Sequence, residues 1–107
     1  MFCVLYKFTV KPNDEEPFRQ HWLAVTKWYV HNSGSLGSRL HRANNGEYMG
    51  YAQWVSREQW ASQRDKSDAE LQGHRQAMRA CCEDIEVLYE MDVVDDYLQR
   101  GVLGDHA

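Results

Sequence analysis

Two stretches near the ends of the chain, residues 2–10 and 85–93, alternate with a period of two, and in both the second face is only half polar. In the first, Phe2, Val4, Tyr6, Phe8 and Val10 fall on one side and Cys3, Leu5, Lys7 and Thr9 on the other. In the last, Ile85, Val87, Tyr89, Met91 and Val93 oppose Glu86, Leu88, Glu90 and Asp92. Such alternation marks a strand, because successive side chains leave opposite faces of a pleated sheet. A strand that is apolar on both sides needs cover on both sides, so these runs demand a sheet roofed by helices on one face and by something else on the other.

The segment between them supplies the roof and the remaining strands. Lys11-Pro12-Asn13-Asp14 is turn chemistry, and Asp14 as N-cap places Pro17 at the third helical position, where a missing N–H is harmless. Phe18, Trp22, Val25 and Tyr29 then recur at steps of four, three and four, giving one apolar helical stripe that Ser33-Gly34-Ser35 ends. Residues 36–43 and 47–54 are β-patterned runs around Asn44-Asn45-Gly46, a glycine loop of hairpin length. Ser56 with Gln59 has the capping-box spacing and opens a short helix carrying Trp60. A second box, Ser67 with Glu70, opens a helix whose apolar side reads Leu71, His74, Met78 and Cys81 or Cys82.

The order strand, helix, strand, strand, helix, strand predicts an α+β fold, a four-stranded antiparallel sheet of ferredoxin-like βαββαβ topology with helices on one face. One domain over residues 1–95 accommodates it, followed by a C-terminal arm or flexible tail over 96–107. The face that carries Cys3, Leu5, Met49, Tyr51 and Leu88 is expected to close on a second copy, making a homodimer. Arg39 and His41 share that face and are expected to pair with Glu90 or Asp92.

A net charge of −4, with no Lys/Arg run, argues against nucleic acid as a partner. No apolar run approaches the length of a membrane span, and Met1 to Tyr6 is too short for a secretory segment, so the expected location is cytoplasmic. The three cysteines have neither zinc-ligand spacing nor an even-numbered disulfide framework, and no metal is expected. Thirteen aromatic residues are many for one core in 107 residues, so some are free to wall a ligand site.

The residues Gly34 to Arg42, then Gly46-Glu47-Tyr48, then Tyr51-Ala52-Gln53-Trp54 carry a family likeness. From about residue 2 to about residue 95 the chain resembles the antibiotic biosynthesis monooxygenase family of dimeric α+β-barrel proteins. The resemblance implies oxidation of a small planar aromatic, quinol- or anthrone-like, by dioxygen without a cofactor; the alternatives it offers are a haem-degrading monooxygenase and a non-catalytic dimeric module that binds a small ligand. The haem-degrading branch carries a Ser-Asp pair opening the long helix and an axial His six residues past that Asp, which Ser67-Asp68 and His74 match here, with Trp60 as the branch's aromatic and Tyr6 in place of its first-strand Asn. Where many family members place a His late in the short helix, this chain has Gln63.

His74, in the middle of an apolar stripe, is the candidate proton-moving group, with Tyr6 and Trp60 as orienting groups and Phe18, Trp22, Trp54 and Met78 as the substrate-binding walls. The plainer alternative is that a histidine and rings at such spacings belong to the core.

Overall fold

A computed structural model describes residues 1–99. Its elements run β1 (Phe2–Val10), α1 (Glu15–Asn32), β2 (Gly37–Arg42), β3 (Tyr48–Trp54), α2 (Arg57–Ala61) with a 3₁₀ turn over Ser62–Asp65, α3 (Ala69–Ala80) and β4 (Cys82–Asp92). The sheet order is β2-β3-β1-β4 with every neighbouring pair antiparallel, which is the ferredoxin-like arrangement. The expected tail divides here: residues 93–99 carry no regular secondary structure, while 100–107 lie outside the described residues.

Local chemistry sets the corners. At the hairpin Gly46 takes φ +90°, a left-handed value that glycine adopts without a Cβ penalty, and Asn45 Oδ1 accepts from Glu47 N at 3.1 Å. Helix α1 begins after Asp14 as expected, but the Asp14 side chain makes no capping bond. Ser56 caps α2, its Oγ accepting from Gln59 N at 3.1 Å. The Gln59 side chain does not complete the box; it crosses to the end of α1 and donates to the Ser33 carbonyl at 2.9 Å. The second box is displaced by one residue, because Asp68, not Ser67, caps α3 and accepts from Leu71 N at 3.1 Å.

The helix-side face of the sheet carries Phe2, Val4, Tyr6 and Phe8 of β1 and Tyr48, Gly50, Ala52 and Trp54 of β3, as the alternation requires. Two packed clusters occupy its ends. Phe8, Phe18, Tyr48, Cys81 and Cys82 form one, and Phe2, Val4, Ala52 and Trp54 the other. The adjacent cysteines straddle the α3–β4 junction as buried free thiols.

Strand β4 departs from simple alternation. Leu5 pairs with Tyr89 but Tyr6 with Val87, so the register skips Leu88 at a bulge. Ile85 and Val87 therefore lie on the helix side, opposite Phe8 and Tyr6, while Tyr89 and Met91 lie on the open side, opposite Leu5 and Cys3. The single apolar face expected for residues 85–93 is thus split between two faces, a switch that period two cannot encode. Arg39 and His41 do sit on the open face, across from Tyr51 and Met49. They cannot meet Glu90 or Asp92 within one chain, because β2 and β4 are opposite edges; Glu90 instead accepts from Arg57 Nε at 2.6 Å.

Candidate active site

Between the two packed clusters the core opens into a cavity of about 550 Å³, within the usual range for small-molecule sites. Tyr6 packs against both clusters and stands at the centre of β1, opposite Gly50 and Val87. Gly50 is what leaves room here: a Cβ on it would come 2.9 Å from Phe8 Cε2 and 3.7 Å from Trp22 Nε1. The walls are Tyr29, Trp54 and Trp60 toward one cluster and Trp22, Met78 and Ile85 toward the other, with Tyr6 and Val87 completing the lining.

Helix α2 follows β3 almost directly, which brings Trp60 back over the start of β1, with its ring 5.6 Å from that of Phe2. From there Trp60 Nε1 donates to the Tyr6 hydroxyl at 2.7 Å. Because that oxygen already accepts, and no acceptor among the described residues takes the Tyr6 hydrogen, the O–H is left to donate to a ligand. Burial pushes the Tyr6 phenol above its ordinary value; the Trp60 hydrogen bond and the Arg75 and Arg64 charges act the other way without reversing it. The group at the cavity floor is therefore a protonated donor at neutral pH, not a base.

A second polar contact holds the upper wall. Arg75 of α3 donates from Nε to the Tyr29 hydroxyl at 2.9 Å and, through Nη2, to that hydroxyl and to the Gln63 carbonyl at 2.6 Å. Its guanidinium also lies 5.4 Å from the Tyr29 ring centre, and Tyr29 in turn meets Trp54 edge-on at 5.6 Å. Gln63 lines the cavity, 5% exposed, with Nε2 donating to the Gln59 carbonyl at 2.8 Å and Oε1 lacking a partner among the described residues.

Of the seven residues nominated from sequence, Tyr6, Trp60, Trp22, Trp54 and Met78 line this cavity, and Phe18 and His74 do not. Phe18 is wholly buried in the neighbouring cluster, its ring 5.1 Å from Phe8 and 5.3 Å from Tyr48. His74 faces away. Its Nδ1 lies 3.3 Å from Nδ1 of His21, fastening α3 to α1. The reason is the rotation of α3 about its axis: Gln72, Arg75, Gln76 and Arg79, flanked by Met78, form the side turned to the cavity, and at 100° per residue His74 is roughly 130° round from its centre. That stripe has the spacing of a helix face and was legible in the sequence. Arg75 was missed because a polar stripe reads by default as solvated, and Tyr29 because a ring on the apolar α1 stripe reads by default as core.

The same geometry bears on haem. The imidazole nominated as axial ligand sits at the α1–α3 seam, and no His or Cys is among the described residues that line the cavity, so these residues do not fit a haem held by His74. No group of three or more His, Cys, Asp or Glu among the described residues is placed to hold a metal ion.

A family model, antibiotic biosynthesis monooxygenase, matches residues 1–79. The chain belongs to this family. Among solved structures, the monooxygenase-family fold is shared with a point mutant of SnoaB, a cofactor-independent oxygenase from Streptomyces nogalater, at a TM-score of 0.74 and 16% identity over 92% of this chain and 97% of that one. A putative antibiotic biosynthesis monooxygenase from Bordetella bronchiseptica aligns at 0.73 and 19% identity, over 87% and 96%. Rv0793 from Mycobacterium tuberculosis aligns at 0.71 and 15%, over 89% and 96%. At these identities the structural likeness speaks for the fold. No protein of curated function matches the sequence significantly. No helix among the described residues is long and apolar enough to cross a membrane.

Proposed function

We propose that this family member is a cofactor-independent monooxygenase that takes a planar, electron-rich aromatic of the anthrone or quinol type into the cavity between the helices and the sheet. The observation that carries the reading is the 2.7 Å bond from Trp60 to Tyr6, which commits the tyrosine oxygen as acceptor and leaves its hydrogen for a substrate oxygen. Trp22, Trp54 and Trp60 supply flat apolar surface for the rings.

The chemistry then needs little from the protein. When the carbonyl oxygen of an anthrone-like substrate accepts the Tyr6 hydrogen bond, charge that develops on that oxygen is stabilised and the ring methylene loses a proton to water more readily. The carbanion gives one electron to dioxygen, the two radicals join through a C–O bond, and the peroxide loses water to leave a carbonyl. Both methylene hydrogens leave with one oxygen atom as water and the other oxygen stays on carbon, so no outside reductant is required. Tyr6 and Trp60 orient the substrate, and the aromatic walls hold its rings. His74 has no part in this scheme, which replaces the proton-moving role expected of it.

The test is oxygen consumption with anthrone and small hydroquinones. Wild type should consume oxygen with each turnover, Tyr6→Phe should lower kcat by about 10²-fold, and His74→Ala should stay within about twofold of wild type. A wild-type protein that binds these compounds with thermal stabilisation but consumes no oxygen is a binding module, and the enzymatic reading is then wrong.

We also propose that the open face of the sheet pairs with a second copy of the chain. Leu5, Met49 and Tyr51 are only half-buried there and Tyr89 is 63% exposed, an apolar patch that a partner sheet of the same pattern would cover.

A further inference from the structure

The cavity lining is lopsided in charge. Arg64, Arg75 and Arg79 belong to it, and among the described lining residues there is no Asp, Glu or Lys, in a chain with 16 acidic and 12 basic residues. Arg75 is committed to Tyr29 and the Gln63 carbonyl. Arg64 and Arg79 are not so engaged: both are exposed, and neither guanidinium makes an ion pair or hydrogen bond within the described residues. With Gln76 and Val87 they are the exposed members of the lining, so they stand at the mouth, between α3 and β4. The α3 stripe of Gln72, Arg75, Gln76 and Arg79 is made only of guanidinium and amide groups.

We infer that this mouth reads a carboxylate carried on the planar aromatic ligand, with Arg64 and Arg79 as the residues that recognise its charge and set specificity. The inference rests on the reading of the cavity as an aromatic site and adds the ligand's charge to it. A guanidinium offers paired N–H donors in a plane, which matches the two oxygens of a carboxylate. The neighbouring Gln72 and Gln76 amides extend the donor surface along the same helix face. The rest of the protein favours the opposite sign: a net charge of −4 repels an anion everywhere except at a local cationic patch, so the patch decides both whether and where an acidic aromatic approaches. The apolar floor takes the rings, and the charged end stays at the wet rim, where a carboxylate keeps part of its hydration.

Binding of 2-naphthoate and of its uncharged counterpart 2-naphthamide, followed by quenching of the cavity tryptophans at low ionic strength, separates the two layers of the claim. Wild type should bind 2-naphthoate about tenfold more tightly than 2-naphthamide, and the preference should shrink as salt is added. In the Arg64→Gln/Arg79→Gln double variant the preference should vanish while the affinity for 2-naphthamide stays unchanged; Arg64→Lys/Arg79→Lys should keep part of it. A wild type that binds both probes equally, or a double variant that still prefers the acid, overturns the charge reading and leaves the aromatic cavity standing. Failure of both probes to bind wild type overturns the aromatic reading and this inference with it.

Discussion

The two faces of the sheet are made by the same four strands, yet they handle their apolar groups in opposite ways. On the helix side the ends are close-packed, with Phe18 in ring contact with both Phe8 and Tyr48, and the middle is hollow around Tyr6 and Gly50. On the open side little is sealed, and the hollow there is a more open one, where Cys3, Tyr51, Gln53 and Met91 meet residues 92–98. Lys7 and Glu47 pair there at 2.9 Å, the Tyr51 hydroxyl meets Cys3 Sγ at 3.0 Å, and Leu5 and Tyr89 keep contact with solvent. The bulge at Leu88 passes β4 from one regime to the other, giving Val87 to the cavity and Tyr89 to the open face. The contrast teaches that the hollow is a local exception inside a packed face, placed where a glycine and a hydroxyl replace bulk.

The largest expected effect breaks the packed part of the helix side. Phe18→Ala should cost about 3–5 kcal/mol in urea unfolding, and a loss under about 1 kcal/mol would mean that Phe18 is a cavity wall after all. Gly50→Ala probes the hollow. The added methyl meets the Phe8 ring, itself 4% exposed and unable to swing away, so a destabilisation of about 1–3 kcal/mol is expected, with weaker binding of any cavity ligand; an unchanged midpoint would show that the floor can yield.

A gentler probe of the packed end is pH. Burial, then its neighbour Cys81, pushes the Cys82 thiol up to about 11 from an ordinary 9.0. The folded state thus holds a proton that the unfolded chain releases first, so this contribution is whole below pH 9 and lost as pH rises toward 11. Cys82→Ala should flatten that part of the alkaline fall in stability, and an identical pH profile would count against the burial. The smallest effect on the single chain belongs to the open face. Leu5→Lys should change its stability by within about 0.5 kcal/mol while shifting sedimentation equilibrium from paired to single chains. A wild type that sediments alone at micromolar concentration would end the case for a second copy as the cover.

How far the sequence reaches varies residue by residue. Tyr48 and Trp54 fall on one face of β3 and Met49, Tyr51 and Gln53 on the other, as alternation alone dictates. The α1 stripe was equally legible, but not the division of labour along it, since Phe18 enters the core and Trp22 the cavity. The helix that bears His74 was read correctly as a helix, but the flank that carries His74 meets α1 and not the cavity. Apolar neighbours at i±3 and i±4 mark the flank that meets other helices as readily as the flank that meets a ligand.

The sequence by itself determined the element order, the antiparallel pairing and the family, because strand period, helix period, caps and glycine turns are short-range properties written within a few residues of each other. Only the tertiary structure decided which side of α3 looks into the hollow, where β4 changes face, and that Trp60 reaches Tyr6, a partner 54 residues away. Those outcomes depend on how packed elements rotate and shift against one another, and that is fixed by the sum of many distant contacts, of which no local window holds more than a part.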